Sequence, residues 1–397
     1  MRVGLMTWFT YHNYGTALQL TALYETLRSF DHDVMLLNYN PSTNIQKPMI
    51  FIRILRRIRR YFRKFILRSE TYRPYSNYER ENKFNEFINE NISMTNECNT
   101  QYELERIANS FDVIVCGSDQ IWSPLCFNPH YYLDFVHDLT KKIAYAPSID
   151  PEHVRSEAMM QRIIELAGEF DSISVREVKA AEILSLWLHR DVKAVLDPTL
   201  LFDAGEWEKF ISESGSRIRK QNQEAESGSR IRKQNQEAES GSRIRKQCLV
   251  YMLGHDERHW QEVYRISERL NLEVKIIPVF AEDLKREGCI NYPIGPREFL
   301  SLFRNADFVC TDSFHGMLFS IIFHVNFIEF KRFMKYDPRN QNFRVFNIAG
   351  LLSLEDRITD CDVADDVLFS RIDFCKVDAK LNELRKDSLS WLKSALS

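Results

Sequence analysis

The sequence predicts an α/β protein made of two Rossmann-like, doubly wound domains facing each other. Three observations carry that expectation. Short apolar runs of strand length alternate with segments whose apolar residues recur at helical spacing. That alternation occurs twice, once in each half of the chain. Polar turns containing glycine follow several of the strand-like runs, at Thr10–Gln19, Cys116–Pro124 and Thr311–Ser320.

The elements follow in order. Arg2–Met6 is a short apolar run, and a polar turn after it ends at Tyr14 and Gly15. Ala17, Leu20, Leu23, Leu27 and Phe30 then repeat at helical spacing, and Val34–Leu37 is again strand-like. This is a βαβ opening, which argues for a parallel sheet. Further strands are expected at Val113–Cys116, Ile143–Ala146, Ile173–Val175 and Ala194–Leu196. Between the last two, Val178, Ala181, Leu184, Trp187 and Leu188 mark a helix. The first domain therefore spans residues 1–205.

The second alternating unit spans 248–380. It opens with Leu249–Leu253 and a helix carrying Trp260, Val263, Ile266 and Leu270. A strand at Val274–Ile277, a helix at Arg297–Phe303, a strand at Phe308–Cys310, a helix at Met317–Phe323 and a strand at Phe327–Phe330 continue it. Residues 381–397 read as a terminal helix packing back on the first domain. Two such halves make a GT-B-like arrangement, with ligands expected outside the carboxyl ends of the strands.

Two segments fall outside this plan. A basic insertion over about 41–100 interrupts the first domain. Within 50–67 it carries Arg53, Arg56, Arg57, Arg59, Arg60, Arg63 and Lys64 among Phe, Ile, Leu and Tyr. A helix lying on an anionic membrane surface and a surface helix with solvated arginines both fit that pattern. Residues 213–247 repeat the unit ESGSRIRKQNQEA twice and then in a truncated copy. One aliphatic side chain per unit besides Ala cannot build a core, so the repeat reads as a loop or linker. A nucleic-acid-binding arm is disfavoured, because each unit has a single net positive charge.

Bulk properties narrow the function. A net charge of -3 gives no global basic field for nucleic acid. The apolar run Val3–Phe9 is too short for a signal peptide, and no stretch reaches the roughly 20 apolar residues of a membrane helix. The 8 cysteines form no CxxC pair, and Cys116 and Cys310 lie in apolar runs. These features point to a reduced cytoplasm, at most peripheral to the inner face of the membrane. His255 and His259 stand at i, i+4, but HDERH lacks the Glu of HExxH, so an exposed helix face is the simpler reading.

The three turns offer the chemistry. Gly15 permits a tight turn before a helix whose N–H groups favour an anion or a sugar hydroxyl, or Asn13 simply caps that helix. Gly117 allows close backbone approach, while Ser118, Asp119 and Gln120 present hydrogen-bonding groups; Asp119 also suits an N-cap. In the third, Thr311, Asp312, Ser313 and His315 cluster before an apolar helix expected from Met317, with Gly316 in the turn. A histidine there is poised beside an anion site, unless it is structural.

These stretches resemble the polysaccharide pyruvyl transferase family. The resemblance rests on N-Y-G-x-x-L-Q (Asn13–Gln19), G-S-D-Q-x-W (Gly117–Trp122), S-V-R-E (Ser174–Glu177), D-P-T-L-L (Asp197–Leu201) and T-D-S-F-H-G-x-x-F-S (Thr311–Ser320). It implies transfer of pyruvate from phosphoenolpyruvate to two hydroxyls of a surface-polysaccharide precursor, free or lipid-linked, giving a cyclic ketal. No cofactor or metal is implied. His315 matches the family histidine assigned to acid/base work, and Asp119 is a second candidate. Asn13, Tyr14, Gly15, Gln19, Gly117, Ser118, Gln120, Thr311, Asp312, Ser313 and Gly316 are the matching substrate-site positions. Arg176, just past a strand end, suits a donor clamp or a structural pair with Glu177 or another acid. Arg344 in N-F-R-V is expected to face the cleft. Two departures matter. Some relatives carry a basic residue where Ser313 stands, so the phosphate needs backbone N–H groups or another arginine. Family members often read A-S-F-G where this chain has Ala146–Asp150, and Pro147 removes one N–H there.

Two other functions suit the same fold. A nucleotide-sugar glycosyltransferase of GT-B architecture would hold an acidic residue for ribose in its second domain. A non-catalytic glycan-binding or assembly protein would have no use for an intact Asp312–Gly316 block.

Overall fold

The structure, a computed structural model, describes residues 1–39, 73–98, 100–137, 139–211 and 246–397. The basic stretch 50–67 and the repeat at 213–247, apart from Lys246 and Gln247, lie outside the described residues. No helix among the described residues is long and apolar enough to cross a membrane.

Two all-parallel sheets form. The first has strands β1 (Arg2–Met6), β2 (Asp33–Leu36), β3 (Val113–Cys116), β4 (Lys141–Ala144), β5 (Ser172–Val175) and β6 (Lys193–Ala194), in the order β2-β1-β3-β4-β5-β6. The second has β7 (Gln247–Tyr251), β8 (Glu273–Ile276), β9 (Phe308–Thr311), β10 (Asn326–Phe330) and β11 (Ile358–Thr359), in the order β11-β10-β9-β7-β8. Each sheet reverses direction of growth beside its first strand, between β1 and β3 and between β7 and β9. Those are the switch points where crossover connections leave a crevice.

The helices used below are α1 (Tyr14–Arg28), α2 (Tyr78–Asn91), α3 (Gln101–Ala108), α4 (Glu157–Gly168), α5 (Val178–Leu188), α6 (Glu257–Leu270), α7 (Pro296–Arg304), α8 (Phe314–Ile322), α9 (Phe343–Leu352) and α10 (Phe374–Leu396). Two boundaries correct the sequence reading in ways that bear on function. Gly15 lies inside the first turn of α1, capped by Asn13, whose side chain accepts from the Thr16 N–H. Helix α8 starts at Phe314, not Met317, because Ser313 caps it by accepting from the Gly316 N–H. His315 and Gly316 therefore sit in its first turn rather than in a loop before it. Gly316 is required there, since a Cβ would meet Thr311 Oγ1 at 2.3 Å.

The terminal helix is also longer than expected. Asp373 caps α10, and the helix runs from Phe374 to Leu396. It lies against the first domain: Ser388 Oγ accepts from the Leu196 N–H at 3.0 Å and Arg385 Nε donates to the Leu200 carbonyl at 2.8 Å.

The two halves are joined by packing as well as by chain. One apolar cluster runs from Leu18 and Leu23 on α1 to Phe299 on α7 and Phe319 on α8. Tyr14 stacks on Phe299 with ring centroids 4.3 Å apart and donates its hydroxyl to the Ile294 carbonyl at 2.9 Å. Such a ring pair contributes about 0.5–1.5 kcal/mol beyond its buried area. Helix α2, at the end of the insertion, adds Lys83 to Glu298 and Glu90 to Arg297 as ion pairs across the boundary. The segment ahead of it bonds to the second domain through the Tyr75 N–H and the Val279 carbonyl at 2.8 Å. These contacts hold the carboxyl ends of the two sheets toward each other.

Candidate active site

Between those carboxyl ends lies a cavity of about 510 Å³. The first domain lines it with Trp8, Tyr11 and Asn13 from the β1–α1 connection, Thr16 in the first turn of α1, Asp119 and Gln120 after β3, and Cys126, Asn128 and Tyr131 beyond. The second domain adds Leu253 after β7, Ser313, Phe314 and His315 after β9, Arg332 after β10, and Gln341 and Arg344 near the start of α9. A larger cavity of about 890 Å³ lies across the 331–342 loop and touches none of the motif residues. The smaller one is therefore the candidate site.

The predicted residues separate into two groups. Asn13, Asp119, Gln120, Ser313, His315 and Arg344 line the cavity. Asp119 has a left-handed backbone (φ 59°), and its carboxylate accepts from Thr16 Oγ1 at 2.7 Å and from the Gln120 N–H at 2.9 Å. It caps no helix; its two oxygens are oriented by neighbours on both sides. Gln120 reaches the Gln341 side-chain amide at 2.8 Å across the domain boundary.

The others lie behind the cavity wall. Gln19 is fully buried, donates to Thr7 and accepts from the Ser118 N–H at 3.1 Å, so it ties the turn after β1 to the turn after β3. Ser118 Oγ donates to the Ala146 carbonyl at 2.7 Å. Gly117 adopts φ 133°, and a Cβ there would meet the Tyr145 carbonyl at 1.9 Å, so only glycine fits. Thr311 donates to the Tyr251 carbonyl, and Asp312 accepts from the Leu253 and Gly254 N–H groups at 2.5 and 2.7 Å. Tyr14 is an interface residue. Arg176 is buried and pairs with Asp197 at 2.8 Å, its guanidinium 5.1 Å from the Phe314 ring. Its acid is thus Asp197 and not the adjacent Glu177.

His315 lies where the domains meet. Its side chain is 10% exposed, and its Nε2 is 3.7 Å from Asp197 Oδ2. On the opposite side the ring packs against Gly15, where a Cβ would fall 2.0 Å from Nδ1. The glycine of the first motif thus makes room for the histidine of the last. The other candidate pair does not share a site: His259 is buried and stacks on Phe330 at 4.8 Å, which corrects the expected exposed face.

The site has positive character. Burial, together with Arg332 and Arg176, pulls the Arg344 guanidinium down to about 9. Arg344 donates to the neutral Gln341 Oε1 at 3.1 Å, and Arg332 Nε is buried without an acceptor. Behind them burial, reinforced by Asp312, holds Glu329 well above the usual carboxylate range. Burial raises Asp312 also. Asp197 is the exception: burial opposes its charge, yet Arg176 and His315 hold its carboxyl well below the ordinary range.

Glu177 provides a stability test. It is buried at the start of α5 and accepts from Ser148 Oγ at 2.6 Å. Burial raises its carboxyl to about 7, against the lowering by Arg176 and Ser148. The unfolded chain then loses this proton at lower pH than the folded one, so stability falls as pH rises toward 7 and stays reduced above it. The loss is on the order of 3 kcal/mol. Glu177→Gln should match the wild type near pH 4 and exceed it in urea unfolding at pH 8. Equal midpoints at both pH values would contradict the burial argument.

Sequence reasoning missed Arg332, Gln341 and the aromatic wall of Trp8, Tyr11 and Tyr131. Arg332 carried a usable signal, standing two residues past the end of β10, where ligands of such sheets bind.

Comparison with known proteins fits this geometry. Solved structures with the same two-domain fold include the UDP-GlcNAc 2-epimerase of Neisseria meningitidis bound to UDP-GlcNAc. It is 8% identical with TM-score 0.50, covering 100% of this chain and 99% of that one. The N-terminal domain of trehalose-6-phosphate phosphatase from Candida albicans is 11% identical with TM-score 0.50, covering 100% and 96%. At such identities the likeness concerns the fold alone. No curated protein matches the chain. The model of the family described as "Polysaccharide pyruvyl transferase" matches residues 13–330, a span that holds 11 of the 16 residues around the cavity, Asp119 and His315 among them. The chain therefore belongs to the polysaccharide pyruvyl transferase family and is a transferase of polysaccharide modification.

Proposed function

We propose that the chain transfers pyruvate from phosphoenolpyruvate to two hydroxyls of a sugar in a polysaccharide precursor, free or lipid-linked, closing a cyclic ketal. One observation carries this reading: Arg332 and Arg344 line the same cavity as Ser313, at the N-terminal end of α8, and that cavity also presents His315 and Asp119. A small, highly charged anion satisfies two guanidiniums, one buried and one half-buried, and a helix N-terminus together. A neutral sugar alone would not. With Ser313 in place of a basic residue, Arg332 supplies the cation from the next strand end.

The chemistry then follows from positions. A proton from His315 adds to the methylene carbon of phosphoenolpyruvate and leaves an oxocarbenium at the neighbouring carbon. A sugar hydroxyl forms a C–O bond there and gives its proton to Asp119, which lines the cavity. The bond to the phosphate oxygen breaks, and phosphate departs against the arginines. The second hydroxyl adds to the same carbon and returns a proton to His315, while Asp119 passes its proton to the departing phosphate, which closes the ketal and restores both groups. General acid–base steps of this kind need no redox change.

The test is incubation of purified protein with carbon-labelled phosphoenolpyruvate and a panel of glycan precursors. Label in the glycan with equimolar phosphate release is expected. Transfer instead from a labelled nucleotide sugar would overturn the reading. Arg344→Gln should raise the phosphoenolpyruvate KM roughly 10- to 100-fold, the worth of a charge-assisted hydrogen bond, with a smaller change in kcat. An unchanged KM would remove Arg344 from the donor site.

A further inference from the structure

We propose that Asp197 is a positioning residue that fixes the tautomer of His315 across the domain boundary, leaving Nδ1 as the nitrogen that works on the substrate. This rests on the reading of His315 as the acid/base group. Asp197 belongs to the first domain, where it caps the short turn Pro198–Leu201 after β6, while His315 stands on α8 of the second. The dyad thus exists only when both halves are together.

Geometry assigns the two carboxylate oxygens different jobs. Oδ1 accepts from the Thr199 N–H at 2.8 Å and from Thr199 Oγ1 at 2.6 Å. Oδ2 faces Arg176 at 2.8 Å and His315 Nε2 at 3.7 Å. Asp197 is buried, and Tyr145, from the end of β4, donates its hydroxyl to the Leu196 carbonyl rather than to the carboxylate. His315 Nε2 is sealed from solvent with no other hydrogen-bond partner. A shift of about 0.5 Å brings it within hydrogen-bond range of Oδ2. Because a carboxylate only accepts, the proton of the neutral ring belongs on Nε2, and the Nδ1 lone pair remains for chemistry. Gly15 abuts Nδ1, and its missing side chain keeps that nitrogen approachable.

The same geometry makes Asp197→Asn a sharp probe. Two donors from Thr199 favour the amide oxygen at the Oδ1 position, which sets the NH₂ group at the Oδ2 position against the Arg176 guanidinium as well as His315. Asp197→Asn is therefore made together with Arg176→Met, which removes that opposing donor, so that the NH₂ group donates to His315 Nε2 and inverts the tautomer. The full chain, labelled with ¹⁵N-histidine, is read by long-range ¹H–¹⁵N correlation at a pH where His315 is neutral; the His315→Ala spectrum assigns the signal. The wild type should show the Nε2–H form at about nine-tenths or more, and the Asp197→Asn, Arg176→Met double variant should show mostly Nδ1–H. Turnover of the variant should fall about 10³- to 10⁴-fold while the phosphoenolpyruvate KM changes by less than about threefold. A wild-type ring protonated on Nδ1, or an unchanged tautomer in the folded double variant, overturns the proposal. The wild-type spectrum decides alone if the variant does not fold. The tautomer is measured without turnover, so it stands or falls separately from the identity of the donor.

Discussion

Truncating His315 to alanine should lower turnover by about 10³-fold and leave a folded protein that still binds phosphoenolpyruvate. The size follows from the role, since general acid–base groups contribute about 10²–10⁴ in rate. Folding should survive because the buried charges around the ring keep their partners. Asp197 retains Arg176 and both Thr199 donors, so no carboxylate is stranded. Donor binding should survive because Arg332, Arg344 and the Ser313 cap are untouched. Turnover assays, calorimetric titration with phosphoenolpyruvate and a thermal melt together separate the outcomes. Undiminished turnover would place the chemistry elsewhere. Lost binding with normal folding would make His315 a donor ligand instead. A wild type that binds donor but never turns it over would support a glycan-binding role in place of an enzyme.

Much of the fold was legible because parallel strands packed on both faces read as continuous apolar runs. Val113–Cys116 and Arg2–Met6 match their observed strands residue for residue. What escaped notice had no such signal. Strand β11 is two residues long and partly exposed. Helix α2 buries only Phe84, Phe87 and Ile88 of its 14 residues, so a polar sequence concealed its interface role. Helix α9 begins without a side-chain cap, and nothing in N-F-R-V announces a start there.

The site was legible in part for a related reason. Residues adjacent to strand ends, such as Asp119 and His315, are fixed in place by one turn, so their sequence position predicts their location. Gly15 was read as a turn former because glycine signals backbone freedom. Its actual constraint is a ring contributed by residue 315, and a contact of 300 residues' separation leaves no local trace. Asp197 was visible only as part of a motif, since its partners Arg176 and His315 come from two other segments.

That long-range contact makes Gly15→Ala the most informative stability measurement. On an unobstructed helix, Gly→Ala stabilises by roughly 0.5–1 kcal/mol. Here the new methyl carbon would stand 2.0 Å from His315 Nδ1 and 2.5 Å from Cγ and Cε1, far inside contact distance. The ring cannot retreat freely, because Asp197 lies on its other side and both α1 and α8 are buried around it. The variant should therefore lose about 1–3 kcal/mol, the usual cost of overpacking, and a ring displaced by about 1 Å should cost on the order of 10² in turnover. Sign is the discriminating feature. In a His315→Ala background the obstruction is gone, and the same Gly15→Ala change should become neutral or stabilising. The difference between the two backgrounds in urea unfolding is the coupling between residues 15 and 315. Additive effects would mean that the ring does not rest on this glycine, and the two domains would then have to meet in some other way.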